Sequence, residues 1–563
     1  MSQPKIPEEK VKPRDVSSEE MELARLGREL EGLERRLGVW ESLKLHRVAV
    51  LYVLAAYSCA AVYGYDSIAN NTTLAMPAFQ IYFGDFSEHL NSYYIESIWT
   101  SLWASMTGVG QIVGSAIAGP VSQRVGRRWT AMGSGAITIV GVAIQYVAVK
   151  KGVLLVGKMI NGVAVGGLLS VGTTYASEVA PPRVRGVLLG GFTFFVVVMQ
   201  CVGLGIIRSL VPNLRPAAFR TALGLQWLVG GIPIVAFFFS PESPNYLILR
   251  GRTQEAKASI GRIYGTNNCI DARLAHLQAG IDHESQKSNS SASYLACFRA
   301  TDRKRTLTVC LLMFGNGLIG SAFLTQNIYF LGLAGLAAKT AISINIAGFG
   351  LALLLIPLSW LFIDKIGRRP LYLIGAGGNA IGMLIIGALG YSYTNPTVWA
   401  VGVILNLLIT WQLFTIYTVS WSLAPELSSY TLRQQTQSIG VAVQAFTTWF
   451  FAFVTPYLYN VGSSSGNLGA KTGFIFMATS LILFAWSWYW IPETKGLGTE
   501  EIDMLYERSI PPRFWGKEMS RLRRGAEDER EERRKREDVE LKEFEAGGDT
   551  RVGFGGGRDE FGL

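Results

Sequence analysis

Charge is scarce in this chain. Asp, Glu, Lys and Arg make up 17% of its 563 residues, against the roughly one quarter usual in globular domains. A water-soluble protein of this length would split into several domains and need more charge to cover them, so a purely aqueous fold is excluded. Hydrophobic residues reach 49% and mean hydropathy is +0.27, which suits a chain whose solvent is lipid. Cysteine is rare too. Cys59, Cys201, Cys269, Cys297 and Cys310 form no close pair and no metal-ligand spacing, so free thiols are expected. No G-x-x-x-x-G-K-[ST] phosphate loop occurs, which argues against an ATP-driven pump. No metal site, cofactor or covalent chemistry is expected. The first 45 residues are polar and show no cleavable signal peptide, so the first apolar run must serve as an uncleaved anchor.

What the chain has in quantity is long apolar runs. Twelve are near the roughly 20 residues that a spanning helix needs: 46–67, 95–121, 127–148, 152–175, 187–208, 217–240, 305–332, 341–363, 369–390, 396–424, 436–460 and 471–491. The net charge of +10 sits in short connections between these runs, so it reads as membrane-orienting charge and not as a nucleic-acid surface. The connections after runs two, four, six, eight and ten carry Arg124, Arg127 and Arg128; Arg183 and Arg185; many Lys and Arg within 250–305; Lys365, Arg368 and Arg369; and Arg433. The positive-inside rule then puts both termini and the 241–304 connection in the cytosol. Asn70 and Asn71 head two glycosylation triplets in what this topology makes the first outside loop, whereas the triplet at Asn289 falls inside. Before the runs, Ser17 and Glu20 suit a capping box. Leu23, Leu26, Leu30, Leu33 and Leu37 then give an amphipathic surface helix its stripe. After them, 517–545 is dense in Glu, Arg and Lys and reads as a solvated helix or disorder.

Three features occur twice. Arg124-Val125-Gly126-Arg127-Arg128 recurs as Lys365-Ile366-Gly367-Arg368-Arg369; Glu178 precedes Arg185 by seven, as Glu426 precedes Arg433; and Pro241-Glu242-Ser243 recurs as Pro492-Glu493-Thr494. The offsets of 241, 248 and 251 residues are nearly one, and each copy follows the second, fourth or sixth helix of its half. The reading is an all-α membrane protein of twelve spanning helices in two pseudo-symmetric six-helix bundles, 46–240 and 305–491, with a substrate site at their interface. Residues 1–45 form a cytosolic N-terminal segment, 241–304 the linker and 492–563 a charged cytosolic tail.

At these residues the chain resembles the sugar porter family of the major facilitator superfamily. The matching stretches are Gly64-Tyr65-Asp66, Gly126-Arg127-Arg128, Tyr175-x-x-Glu178-x-x-Pro181-x-x-x-Arg185-Gly186, Pro241-Glu242-Ser243-Pro244, Asp364-x-x-Gly367-Arg368-Arg369 and Pro492-Glu493-Thr494-Lys495-Gly496-Leu497. Gly157-Lys158 and Tyr329-Phe330 with Ala334-Gly335-Leu336 look nearest the fungal α-glucoside permease branch.

Three sites follow. Guanidinium groups pair with carboxylates through planar bidentate bonds. Arg127, Arg128 and Arg185 with Glu178 and Glu242, and Arg368, Arg369 and Arg433 with Asp364, Glu426 and Glu493, are therefore expected to form a cytosolic gate that breaks when the carrier opens inward. Gln123 stands where the family usually has an acid. An acid inside a spanning run is costly and so points to function. Asp66 ends an outward-running helix and Lys158 starts an inward-running one, at similar depth. The resemblance makes Asp66 the proton-coupling acid and puts Lys158 where many members carry Arg; without that role, Asp66 caps its helix in an outer vestibule. Sugars need hydroxyl partners and an aromatic face. Gln200, Trp421 and Gln444 match the family's substrate positions by spacing, with Gln326 and Tyr329 as further candidates. Thr193 replaces one usual Gln, and Gly320 and Ser321 fall where the family has a Gln pair, so the pocket is divergent.

The function implied is import of a hexose or an α-glucoside such as maltose by proton symport and alternating access, in a multi-pass plasma-membrane protein that works as a monomer. Its partners would be sugar, protons and the bilayer. A facilitator without proton coupling, a carrier of a polyol or quinate, and a non-transporting sugar sensor remain as alternatives.

Overall fold

The computed structural model describes residues 18–87, 92–265, 269–287, 294–328, 331, 338–392, 394–459, 466, 468–522 and 524. The spanning helices are α1 Arg47–Thr72, α2 Ser97–Val125, α3 Arg127–Val147, α4 Lys151–Val179, α5 Arg185–Leu210, α6 Ala217–Phe239, α7 Ala300–Leu318, α8 Ala338–Ile366, α9 Arg368–Leu389, α10 Pro396–Leu427, α11 Arg433–Tyr459 and α12 Gly473–Trp490. Among the described residues ten helices are long and apolar enough to cross a membrane. The other two of the twelve, α2 and α7, carry more polar residues, and α7 breaks at Gly320, which takes φ +80°, before the short helix Ser321–Thr325. The expected continuous run 305–332 is thus interrupted in its middle. Large apolar side chains face outward along the helices: Leu354 is 75% exposed and Leu228 70%, the distribution of a protein dissolved in lipid.

The repeat in sequence is a repeat in packing. Helix α1 lies on α5 as α7 lies on α11; α3 lies on α6 as α9 lies on α12; α2 lies on α4 as α8 lies on α10. The halves meet through α2 on α11 and α5 on α8, again an equivalent pair. Glycines set the closest approach within a half. A Cβ at Gly110 of α2 would come 2.2 Å from the Met159 carbonyl oxygen of α4, and one at Gly166 of α4 would come 2.2 Å from the Gln111 carbonyl oxygen. This is the small-residue seam typical of membrane helices.

Several expectations change. Helix α1 runs past 67 to Thr72, so Asn70 and Asn71 stand in its last turn and not in a loop; Asn70 is 4% exposed. A buried helical side chain is no glycan acceptor, so that reading of Asn70 is withdrawn; Asn71 is half-buried and lies on the same helical turn, not in the loop that reading assumed. The strands β1 Asp85–Ser87 and β2 Ser92–Tyr94 pair antiparallel before α2, a small departure from an all-helical chain. The linker holds helices Pro244–Leu249, Thr253–Tyr264 and Ile270–Lys287. The N-terminal helix Ser18–Arg36 exists, but its leucine stripe is only partly packed: Leu23, Leu30 and Leu37 are half-buried. Leu26 and Leu33 are exposed while Gly27 and Glu34 are buried, because Gly27 lets the helix press against Ala272 of the linker and its acids pair there. Ser17, Asn289, Tyr329 and the tail beyond residue 524 lie outside the described residues.

Candidate functional site

A cavity of about 120 Å³ lies between the halves, lined by residues of α1, α2, α5, the segment that continues α7, α8, α10 and α11. Gln200, Gln326 and Trp421 line it, as does Thr193. The Trp421 ring packs 5.3 Å from Phe192. Gln200 Nε2 donates to Ser67 Oγ at 3.0 Å, leaving Gln200 Oε1 without a partner, and Thr193 Oγ1 likewise lacks one. Buried polar atoms without partners are costly, so a lining of this kind is suited to bind hydroxyl groups. Gln444 is buried but does not line the cavity; Thr448, one turn along α11, does. Ser321 lines it because the break at Gly320 turns the chain into the interface. Sequence reasoning missed Tyr63, Asn71, Gln412 and Tyr417. Tyr417 is presented by a π-helical turn, Leu413–Tyr417, an irregularity frequent at functional sites that side-chain periodicity does not reveal.

Asp66 and Lys158 are both buried, at 2% and 1% exposure, and no ion pair within 4 Å joins them among the described residues. Asn161 Nδ2 instead donates to Asp66 Oδ1 at 2.6 Å and to Gln226 Oε1 at 3.3 Å, while Gln226 Nε2 reaches Asp66 Oδ1 at 3.4 Å. Lys158 Nζ donates to the Asn70 carbonyl at 3.5 Å. The acid thus sits in an amide cage with a cation nearby. Asn161 follows Lys158 by three positions, one helical turn, so a polar residue at that spacing in α4 was the available signal.

The ends of the helices on the side that holds both chain termini form two matching clusters. In the first half, Arg127 Nε and Nη2 donate to Glu178 at 3.2 and 3.1 Å, a bidentate pair with both side chains at 3% exposure or less. Ser243 Oγ donates to Glu178 at 2.5 Å. In the second, Arg368 Nη2 donates to Glu426 at 3.4 Å and Thr494 Oγ1 donates to the same carboxylate at 3.0 Å. The third member of each Pro-Glu-Ser/Thr repeat is therefore a hydroxyl that holds the Arg-bound acid.

Glu242 and Glu493 do something else. Glu242 accepts from the backbone N–H of Arg127 at 2.8 Å and of Ser243 at 3.0 Å, and Glu493 accepts from those of Arg368 and Arg369 at 3.1 and 3.2 Å. Glu242 thus caps the start of α3 and Glu493 that of α9, where an N-terminal dipole favours an anion. Burial pushes the Glu242 carboxyl above its usual range despite these bonds. Gly126 and Gly367 hold φ of +107° and +106° there, and a Cβ on either would collide with the capping acid at 2.2 or 2.3 Å.

Four other arginines expected in the gate are placed differently. Arg128 and Arg369 donate to the carbonyls of Phe238 and Trp488 at 2.6 Å and lie over those same rings. Arg433 is buried over Tyr430, and Arg185 lies in a second cavity between the halves. The Asp364 side chain lies outside the described residues. The pairs Arg127–Glu178 and Arg368–Glu426 are each internal to one half. What closes the halves on each other is different: Ser170 Oγ of α4 meets Ser438 Oγ of α11 at 2.7 Å, Gln434 Nε2 donates to Ser170 Oγ at 2.9 Å, and Gly186 of α5 admits the Arg368 guanidinium.

Comparisons with known proteins agree with this architecture. The sugar (and other) transporter family model matches residues 52–506. The chain is 40% identical to the MFS transporter fmqE of Aspergillus fumigatus over 86% of this chain and 92% of that protein. It is 26% identical to the general alpha-glucoside permease of Saccharomyces cerevisiae over 85% of this chain and 79% of that one. Among solved structures, the proton:xylose symporter XylE bound to 6-bromo-6-deoxy-D-glucose superimposes with a TM-score of 0.71 at 20% identity, covering 82% of this chain and all of that one. The twin helix-end clusters, the interfacial cavity and a match over most of the chain together make this protein a multi-pass membrane transporter of the sugar porter family in the major facilitator superfamily.

Proposed function

We propose that this protein imports a sugar by proton symport. Residues 46–240 and 305–491 rock against each other about the central cavity, 241–304 links them, and both termini face the cytosol from the plasma membrane. The observation that carries the reading is the placement of Asp66: a carboxylate buried in the spanning region, held by Asn161 and Gln226, on the helix that also lines the cavity with Tyr63 and Ser67. A charge there is costly unless it is used. Protonation removes the charge that the amide cage is built to hold, and α1 transmits the change to the cavity wall.

The substrate class is supported by the hydroxyl-seeking lining and the aromatic face of Trp421, and by the sugar permeases among the relatives. At about 120 Å³ the cavity is smaller than the roughly 300 Å³ at which small-ligand sites begin, so loading requires the halves to part. Labelled maltose, other disaccharides, hexoses and polyols offered to transporter-null cells, with and without a protonophore, test the reading. Accumulation of a sugar that collapses with the protonophore supports it. Uptake that only equilibrates and ignores the protonophore makes the protein a facilitator, and no uptake of any sugar removes the substrate class.

A further inference from the structure

On the termini side lies a second cavity, about 280 Å³, walled by both halves, the N-terminal helix and the segment after α12. Five cations line it, Arg35, Arg183, Arg185, Arg368 and Lys495, against one carboxylate, Glu426. Two of the cations are satisfied by acids: Arg35 pairs with Glu31 at 2.5 Å and Arg368 with Glu426 at 3.4 Å. The other three make no ion pair among the described residues. Arg183 Nε donates to the Leu37 carbonyl at 2.9 Å, and Lys495 Nζ to the Lys365 carbonyl at 2.6 Å. Arg185 Nε is buried with no hydrogen-bond partner. The cations outnumber the acids beside them, Glu426 in the lining and Glu31 behind Arg35, so the cavity carries an excess of positive charge, and a buried guanidinium nitrogen without an acceptor adds to the cost. Arginines converging on one cleft form the geometry that binds phosphate oxygens in forked pairs. The volume is close to that of sites for small organic ligands.

We infer that this cavity binds a phosphate-bearing anion, which bridges the two halves and holds the termini side closed. Arg183 and Arg185 enter from the end of the first half, Arg368 from the second and Lys495 from beyond it, so one anion touches segments that must separate for opening. Binding to the closed form alone shifts the equilibrium toward it.

The test uses the full-length protein in neutral phosphatidylcholine nanodiscs, titrated with inorganic pyrophosphate at constant ionic strength and followed by calorimetry and thermal melting. Saturable binding is expected in the wild type. Binding should weaken by about tenfold or more in Arg183→Gln/Arg185→Gln, the scale of losing a charge-assisted contact, and by less in Arg183→Lys, which keeps the charge but loses the fork. Pyrophosphate should also slow substrate exchange by the wild type. A second set of nanodiscs containing phosphatidylinositol 4-phosphate separates the sources. Stabilisation there alone, lost in the double variant, assigns the same site to a lipid headgroup. Equal effects of chloride at matched ionic strength, equal binding by the double variant, or no response to either phosphate source would overturn the inference.

Discussion

Asp66 and Ser67 are consecutive on α1 yet belong to different environments: Asp66 Oδ1 receives Asn161 Nδ2 inside the first half, and Ser67 Oγ receives Gln200 Nε2 at the wall of the interfacial cavity. A single peptide unit separates the candidate proton site from the candidate substrate site, so the shortest coupling route is a small rotation of α1. Asp66→Asn keeps the shape and removes the titration. Accumulation against a gradient should fall by about tenfold or more, while exchange of labelled for unlabelled substrate stays within about threefold. Comparing the two assays in the same vesicles checks this.

Gly126 and Gly367 are the sharpest backbone requirement. Gly126→Ala must adopt a left-handed φ and push into Glu242. The backbone strain alone costs about 1–2 kcal/mol, and the displaced cap adds to it. Gly133 has open space around it in the middle of α3, so Gly133→Ala should be neutral or stabilise by about 0.5–1 kcal/mol through helix propensity. Thermal melting of both variants in detergent reads the contrast.

Removing Arg127 strands Glu178 in a buried site. Arg127→Gln should destabilise by about 3–5 kcal/mol, the range for breaking a buried pair from one side. Ser243→Ala removes one hydroxyl donor to the same carboxylate and should cost about 1–2 kcal/mol. Denaturation midpoints of the two variants measure the difference. Equal values would mean that the bidentate pair adds nothing beyond the hydroxyl.

The N-terminal helix is docked by charge. Burial pushes the Glu31 carboxyl up, but its hydrogen bond with His276 and the charges of Arg35 and Arg185 outweigh this and leave it far below its usual value of 4.5. A lowered folded value stabilises above the unfolded one and is lost as pH falls through the folded one. Docking should therefore persist at neutral and mildly acidic pH and weaken only as pH drops below about 4.5. Glu31→Gln should undock the helix at every pH. Limited proteolysis between residues 18 and 36 reports both.

Much of this was readable in the chain because two of its signals are strong. Apolar runs of spanning length must become helices in lipid, and the duplicated Arg-Glu-Pro-Glu pattern implies two halves. Side-chain partners were less readable. Glu242 and Glu493 were expected to bind guanidinium groups and instead cap backbone N–H groups, because the left-handed glycine before each arginine turns the main chain toward the acid. Lys158 was expected at the depth of Asp66, but the hydrogen-bond partners of the acid are Asn161 and Gln226. Their sequence signature is only an amide in an apolar run. The cavity lining from α7 and α10 was hidden because it depends on a helix break at Gly320 and a π turn at Leu413–Tyr417, and neither changes hydropathy. Asn70 and Asn71 misled because a triplet motif carries no information on where a helix ends.

The proposed transport cycle requires the two halves to part on the termini side. Ser170 and Ser438, 2.7 Å apart across that seam, give the direct measurement. Ser170→Cys/Ser438→Cys in a background lacking the native thiols, oxidised in membranes, should cross-link and stop substrate uptake, and reductant should restore it. A fully cross-linked protein that still transports at the reduced rate would show that the seam does not open, and alternating access about the central cavity would be wrong.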